Sequence, residues 1–169
     1  MSGPECARFL ACAMLLCWAA GAPALENDSE QTIEWSADGS SSMSTEGGVR
    51  RLHMTENVAI TQGSLEINGD EALLEYSTET NELSRVTVQG APARYRQALD
   101  DNGGIVSGSG DTILFYEDED GNTVIELVGN ADISSREMNT SCERILYVTE
   151  LELIRASGNC AGAFTPGND

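Results

Sequence analysis

Apolar and polar residues alternate with a period of two in short runs, and no convincing helical period interrupts them. Each run stops at Gly, Asn or Asp. A period of two turns one side of a segment to a core and the other to water, which is the pattern of a half-buried strand. The pattern predicts strands over 32–36, 49–54, 58–61, 64–67, 72–76, 83–88, 93–96, 105–107, 112–116, 123–128, 132–135, 143–148 and 152–156. Turns fall at Asn68-Gly69, Asp101-Asn102-Gly103-Gly104 and Asp120-Gly121-Asn122. The chain therefore reads as all-β, and this patterning sets aside the disorder that its charge alone would permit.

The punctuation repeats. Glu56-Asn57-Val58, Gly90-Ala91-Pro92, Gly129-Asn130-Ala131 and Gly158-Asn159-Cys160 each follow a strand, about 30 to 40 residues apart. Three units end in similar tripeptides, Leu74-Glu75-Tyr76, Leu114-Phe115-Tyr116 and Ile145-Leu146-Tyr147. Units of this kind bury their apolar side only against neighbours, so they stack into a solenoid or an elongated, folded-over sheet. Alternation predicts one inner face carrying Leu52, Met54, Val58, Ile60, Leu65, Ile67, Leu74, Tyr76, Val86, Val88, Tyr95, Leu114, Tyr116, Ile125, Leu127, Ile133, Ile145 and Tyr147. Arg51, His53, Glu75, Arg85, Arg94, Arg96, Glu126 and Asp132 then face water, which spares unpaired ions from burial. Phe115 and Leu146 break this alternation and are read as edge covers. The inner face is mostly aliphatic, which fits either a small-residue core or a groove left open for an apolar guest.

Charge narrows the partners. Asp and Glu number 28 against 9 basic residues, all of them Arg, for a net charge of −19. Nucleic acids and anionic membrane surfaces require a basic face that this chain lacks. Residues 1–24 read as a cleaved secretory leader: Arg8 precedes a short apolar run, and Ala22-Pro23-Ala24 is a small-x-small cleavage site. Cleavage removes Cys6, Cys12 and Cys17 and leaves Cys142 and Cys160. In an oxidising compartment these form either a disulfide or two free thiols. Two Cys and the single His53 are too few for a zinc site. No nucleotide loop or Ser–His–acid arrangement is visible, and the acidic run 117–122 lacks calcium-loop spacing. No enzyme, cofactor or metal is expected. Residues 25–48 read as an N-terminal strand with a flexible Ser/Gly-rich loop, 49–160 as the β-domain and 161–169 as a flexible tail.

The stretch Asn57-Val58-Ala59-Ile60-Thr61-Gln62-Gly63-Ser64-Leu65-Glu66-Ile67-Asn68-Gly69-Asp70 resembles the most recognisable motif of the OstA-like family of lipopolysaccharide transport proteins. Gly90-Ala91-Pro92-Ala93, Asp101-Asn102-Gly103, Val128-Gly129-Asn130-Ala131 and Ile145-Leu146-Tyr147-Val148 follow in the family's order, over roughly 52–158. The resemblance implies a twisted β-jellyroll of two antiparallel sheets with an open apolar groove. It implies that lipopolysaccharide acyl chains lie along the inner residues named above. Ile33 and Trp35 match the pair at the groove entrance, and Tyr95, Tyr116 and Tyr147 match inward sites. It further implies a periplasmic bridge of copies joined end to end, between an inner-membrane LptC-like subunit and an outer-membrane LptD-like translocon. A sibling jellyroll of the same pathway, LptC-like or LptD N-terminal-like, is the nearest alternative. A β-solenoid carbohydrate-active enzyme is a more distant one. Cys142 and Cys160 lie outside the family's pattern.

Overall fold

The computed structural model describes residues 28, 31–99 and 104–165. The expected leader and the end of the tail, 166–169, lie outside them. The described strands are β1 (Glu34–Ser36), β2 (Ser41–Glu46), β3 (Val49–Gln62), β4 (Leu65–Ser77), β5 (Leu83–Ala98), β6 (Ile105–Glu117), β7 (Thr123–Ser134), β8 (Met138–Val148), β9 (Leu153–Ser157) and β10 (Ala161–Phe164). They form one antiparallel sheet in the order β1-β3-β4-β5-β6-β7-β8-β10, with β2 also on β3 and β9 also on β8.

Many of the short runs predicted from sequence are halves of longer strands. The runs at 49–54 and 58–61 both belong to β3, and those at 123–128 and 132–135 both belong to β7. The interruptions are irregularities in register rather than turns. They fall at Thr55/Val58, Asn68/Glu71, Gln89/Ala93, Ser109/Thr112 and Val128/Ala131, in line across the sheet. A bulge bends its strand. A line of bulges bends the whole sheet, which doubles over into the two layers of a twisted β-jellyroll.

The Asn corners carry the bend. Glu56 and Asn57, Gly129 and Asn130, and Gly158 and Asn159 are successive residues with positive φ. Gly and Asn adopt this conformation with the least steric penalty. Each Asn amide also donates to a neighbouring carboxylate: Asn57 to Asp38 in the β1–β2 connection, Asn130 to Asp111 on β6 and Asn159 to Glu143 on β8. The remaining corner uses Gly90 and a cis Ala91–Pro92 peptide.

Three strand segments escaped the hydrophobic pattern. Ser41–Glu46, inside the stretch read as a loop, forms β2. Ala161–Phe164, inside the stretch read as a tail, forms β10. The first half of β8, from Met138, pairs with β7 and β10. These segments are rich in Ser, Thr, Asn and Gly, and backbone pairing rather than burial makes them strands.

One inner-face expectation is overturned. Leu114 and Tyr116 lie on the outer face of β6, and Ile113 and Phe115 take their places inside. Ile113 pairs with Val88 and Leu127, and Phe115 pairs with Val86 and Ile125, all buried core residues. The irregularity at Ser109/Thr112 shifts β6 by one residue, and a one-residue shift exchanges the two faces. Tyr76 and Tyr147, at the ends of the matching tripeptides, do face the core. The tripeptide likeness concealed the different phase of the middle strand. Phe115 accordingly belongs to the core, not to an edge.

Candidate functional site

The inner face of the layer containing β2, the first half of β3 and β9 carries two unbroken apolar rows across the strands. One runs Met43–Leu52–Leu74–Val86–Phe115–Ile125–Tyr147–Ile154. The other runs Met54–Ala72–Val88–Ile113–Leu127–Ile145–Ala156. At about 4.8 Å between strands the first row spans roughly 34 Å. The facing layer contributes Trp35–Ile60–Ile67–Tyr95–Gly108–Ile133 in register. A Cβ on Gly108 would meet Leu127 Cδ1 at 2.6 Å, so the layers touch directly near the fold line.

Leu52, Met54, Leu65, Ile67, Leu74, Val86, Val88, Tyr95, Ile125, Leu127, Ile145 and Tyr147 are all buried in this interior. Ile33 and Tyr76 are half-buried against it. Trp35 stands in the inner row but is 45% exposed, because β1 is an edge. Sequence reasoning missed Ile113 and Phe115, and it missed two further edge residues. Met43 on β2 registers with Leu52 and is 62% exposed, and Phe164 on β10 registers with Met138 and is 66% exposed. Met43 alternates with polar neighbours, a faint period-two signal within Ser-rich sequence. Among the described residues, both ends of the folded sheet thus present unpaired strand edges with large apolar side chains on the inner side.

A polar cluster interrupts the interior at Tyr95. The Tyr95 hydroxyl donates to Gln97 Oε1 at 2.8 Å, and Gln97 Nε2 donates to Asp28 at 3.4 Å. Asp28 also accepts from the Ser64 backbone at 3.0 Å. Burial pushes the Tyr95 phenol far above its ordinary pKa, with Tyr147 and Asp28 acting in the same direction. Burial likewise raises Tyr147, helped by Glu152 and Glu150, and raises Tyr76.

The charges sit on the opposite face. Arg51 pairs with Glu75 at 2.9 Å, and Arg85 lies over the Tyr116 ring at 5.0 Å. Glu126, expected to face water, is instead buried at 8% exposure but paired, accepting from Tyr116 at 3.2 Å and from Arg144 at 3.1 Å. Among the described residues no three His, Cys, Asp or Glu gather as a metal site. Cys142 and Cys160 are joined in a disulfide, which decides between the two states open from sequence.

Comparison with known proteins places this architecture. Residues 39–152 match the family described as LptA/(LptD N-terminal domain) LPS transport protein. The chain is 28% identical over 153 residues to the lipopolysaccharide export system protein LptA of Haemophilus influenzae, covering 90% of this chain and 85% of that protein. Its fold matches the crystal structure of LptH of Pseudomonas aeruginosa, the LptA-homologous periplasmic component of the lipopolysaccharide transport device. That match has a TM-score of 0.72 at 23% identity and covers 83% of this chain and 99% of the other. The family match takes in most of the folded sheet, and the chain belongs to the LptA/LptD N-terminal domain family of lipopolysaccharide transport proteins.

Proposed function

We propose that this chain is a non-enzymatic periplasmic bridge that carries lipopolysaccharide between the inner and outer membranes, with the acyl chains held between its two layers. The unbroken apolar rows are the observation that carries this reading. An acyl chain gains about 0.8 kcal/mol for each CH₂ withdrawn from water. A continuous row offers that gain along its whole length, so no single point holds the lipid. The interior is filled by its own side chains in this structure, so loading proceeds from the open edges at Trp35, Met43 and Phe164 as the layers part. The lipid is anionic and so is the protein, hence binding is apolar and the sugars remain in water. Direction is supplied from outside, because the sequence contains no nucleotide-binding loop.

The unpaired edges fit strand addition. Copies join end to end, an LptC-like subunit meets one end and an LptD-like translocon the other. The leader at 1–24 delivers the chain to the periplasm, and the mature protein begins at Leu25.

A photo-reactive residue at Phe115 tests the interior against one at Tyr116 on the outer face. Lipopolysaccharide is captured at Phe115 and not at Tyr116, and Val88→Asp abolishes the capture. Equal capture at both positions, or capture unaffected by Val88→Asp, refutes the reading.

A further inference from the structure

The two ends of the sheet are not built alike. At the β1–β2 end, the corner is held by hydrogen bonds: Asp38 N to Glu56 O, Gly39 N to Thr55 O, and the Asn57 amide to Asp38. At the β9–β10 end, the Gly158-Asn159 corner has matching bonds, Glu143 N to Gly158 O and the Asn159 amide to Glu143. It also has the Cys142–Cys160 bridge, a covalent cross-link between β8 and the residue that precedes β10.

The bridge sits at the base of β10, a short and exposed strand. β10 pairs with β8 through Ala161, Gly162, Ala163 and Phe164, with one further bond from Thr165 N to Glu137 O, and all four strand residues are exposed. Three of these residues have little or no side chain to bury, and Phe164 projects into solvent at this end. A strand of four exposed residues does not offset its ordering entropy through packing. Cys142, by contrast, is buried in the core beside Ala131 on β7. The disulfide therefore anchors the first residue before β10 to a rigid interior strand and limits how far β10 can leave β8.

We infer that the Cys142–Cys160 disulfide makes β10 a preformed template for the incoming N-terminal strands of a second copy, so that end-to-end joining depends on the oxidised state. This inference rests on the end-to-end reading above. Strand addition needs an ordered edge. When the edge is ordered only part of the time, the apparent affinity falls by that fraction. Cys160 is exposed, so a thiol reductant reaches the bridge. A dithiol such as dithiothreitol supplies two electrons and two protons. The S–S bond breaks to give two Cys thiols, and the reductant closes its own disulfide.

The test compares the mature protein with and without dithiothreitol, beside Cys142→Ala/Cys160→Ala. Sedimentation reads self-association, amide hydrogen exchange reads the order of β10, and circular dichroism confirms that the remaining sheet is folded. Reduction is expected to accelerate exchange at 161–164 while β4–β7 stay protected, and to weaken self-association about tenfold or more. The double variant should behave like the reduced protein in either buffer. Unchanged exchange at 161–164, or equal association of oxidised and reduced protein, overturns the inference and leaves the bridge reading standing. An oxidised protein that shows protected β10 but no association refutes the end-to-end reading, and the inference falls with it.

Discussion

Two adjacent residues of β6 give the sharpest test of the fold. Ile113 is fully buried between Val88 and Leu127, themselves fully buried. Leu114 is half-buried on the opposite face, registered between Thr87 and Glu126. Ile113→Ala removes three carbons' worth of buried surface, about 2.5 kcal/mol at 0.8 kcal/mol per group. A residual cavity between two rigid layers adds to this, for a total of about 3 to 4 kcal/mol. Leu114→Ala removes a similar volume from a surface that water already reaches, and costs about 1 kcal/mol. Urea unfolding of the disulfide-intact protein reads both, with the slope unchanged and the midpoint shifted. In a thermal scan the difference between the two variants corresponds to roughly 5 to 10 °C. If Leu114→Ala proves as damaging as Ile113→Ala, β6 has the opposite phase. The line of bends would then be misplaced, and the inner rows with it.

Three further outcomes follow from particular contacts. Burial raises the pKa values of Tyr95, Tyr147 and Tyr76 above their unfolded values. The stability they contribute is therefore complete below about pH 10 and is lost as pH rises beyond it, and a urea midpoint independent of pH between about 9 and 11 contradicts this. Gly129 has φ 75°, and a Cβ there would lie 2.4 Å from Asp111 Oδ2, the carboxylate that holds Asn130. Gly129→Ala should cost about 2 to 3 kcal/mol, more than Gly121→Ala, whose φ is also positive but whose Cβ meets nothing within 4 Å; equal costs in urea unfolding would show that the corner clamp contributes nothing. A net charge of −19 makes the folded chain repel itself, so its unfolding midpoint should climb with added sodium chloride, and a flat response counts against that repulsion.

Much of this fold was legible because burial imposes a period on sequence. Where a strand has one face against the core, as at Leu52 and Met54 or Ile125 and Leu127, alternation alone identifies the inner side chains. The corners were legible for a different reason. Asn and Gly tolerate positive φ, so Gly129-Asn130 and Gly158-Asn159 announce a backbone conformation directly. The edge strands β2 and β10 were not legible, because a strand that buries almost nothing carries at most a faint hydrophobic period and is held by backbone hydrogen bonds that every residue can make.

The sequence by itself determined the core strands, the Gly/Asn corners, the acidic outer surface and most of the apolar interior. All of these are properties of single residues or their near neighbours. Tertiary structure alone decided three things. It set the phase of β6, since the bend at Ser109/Thr112 depends on how β5 and β7 register on either side. It joined Cys142 to Cys160, since only the pairing of β8 with β10 across a corner brings the two cysteines opposite each other. It also made one continuous apolar path of rows that no contiguous segment contains, because those rows run perpendicular to the chain and exist only once the strands are in register.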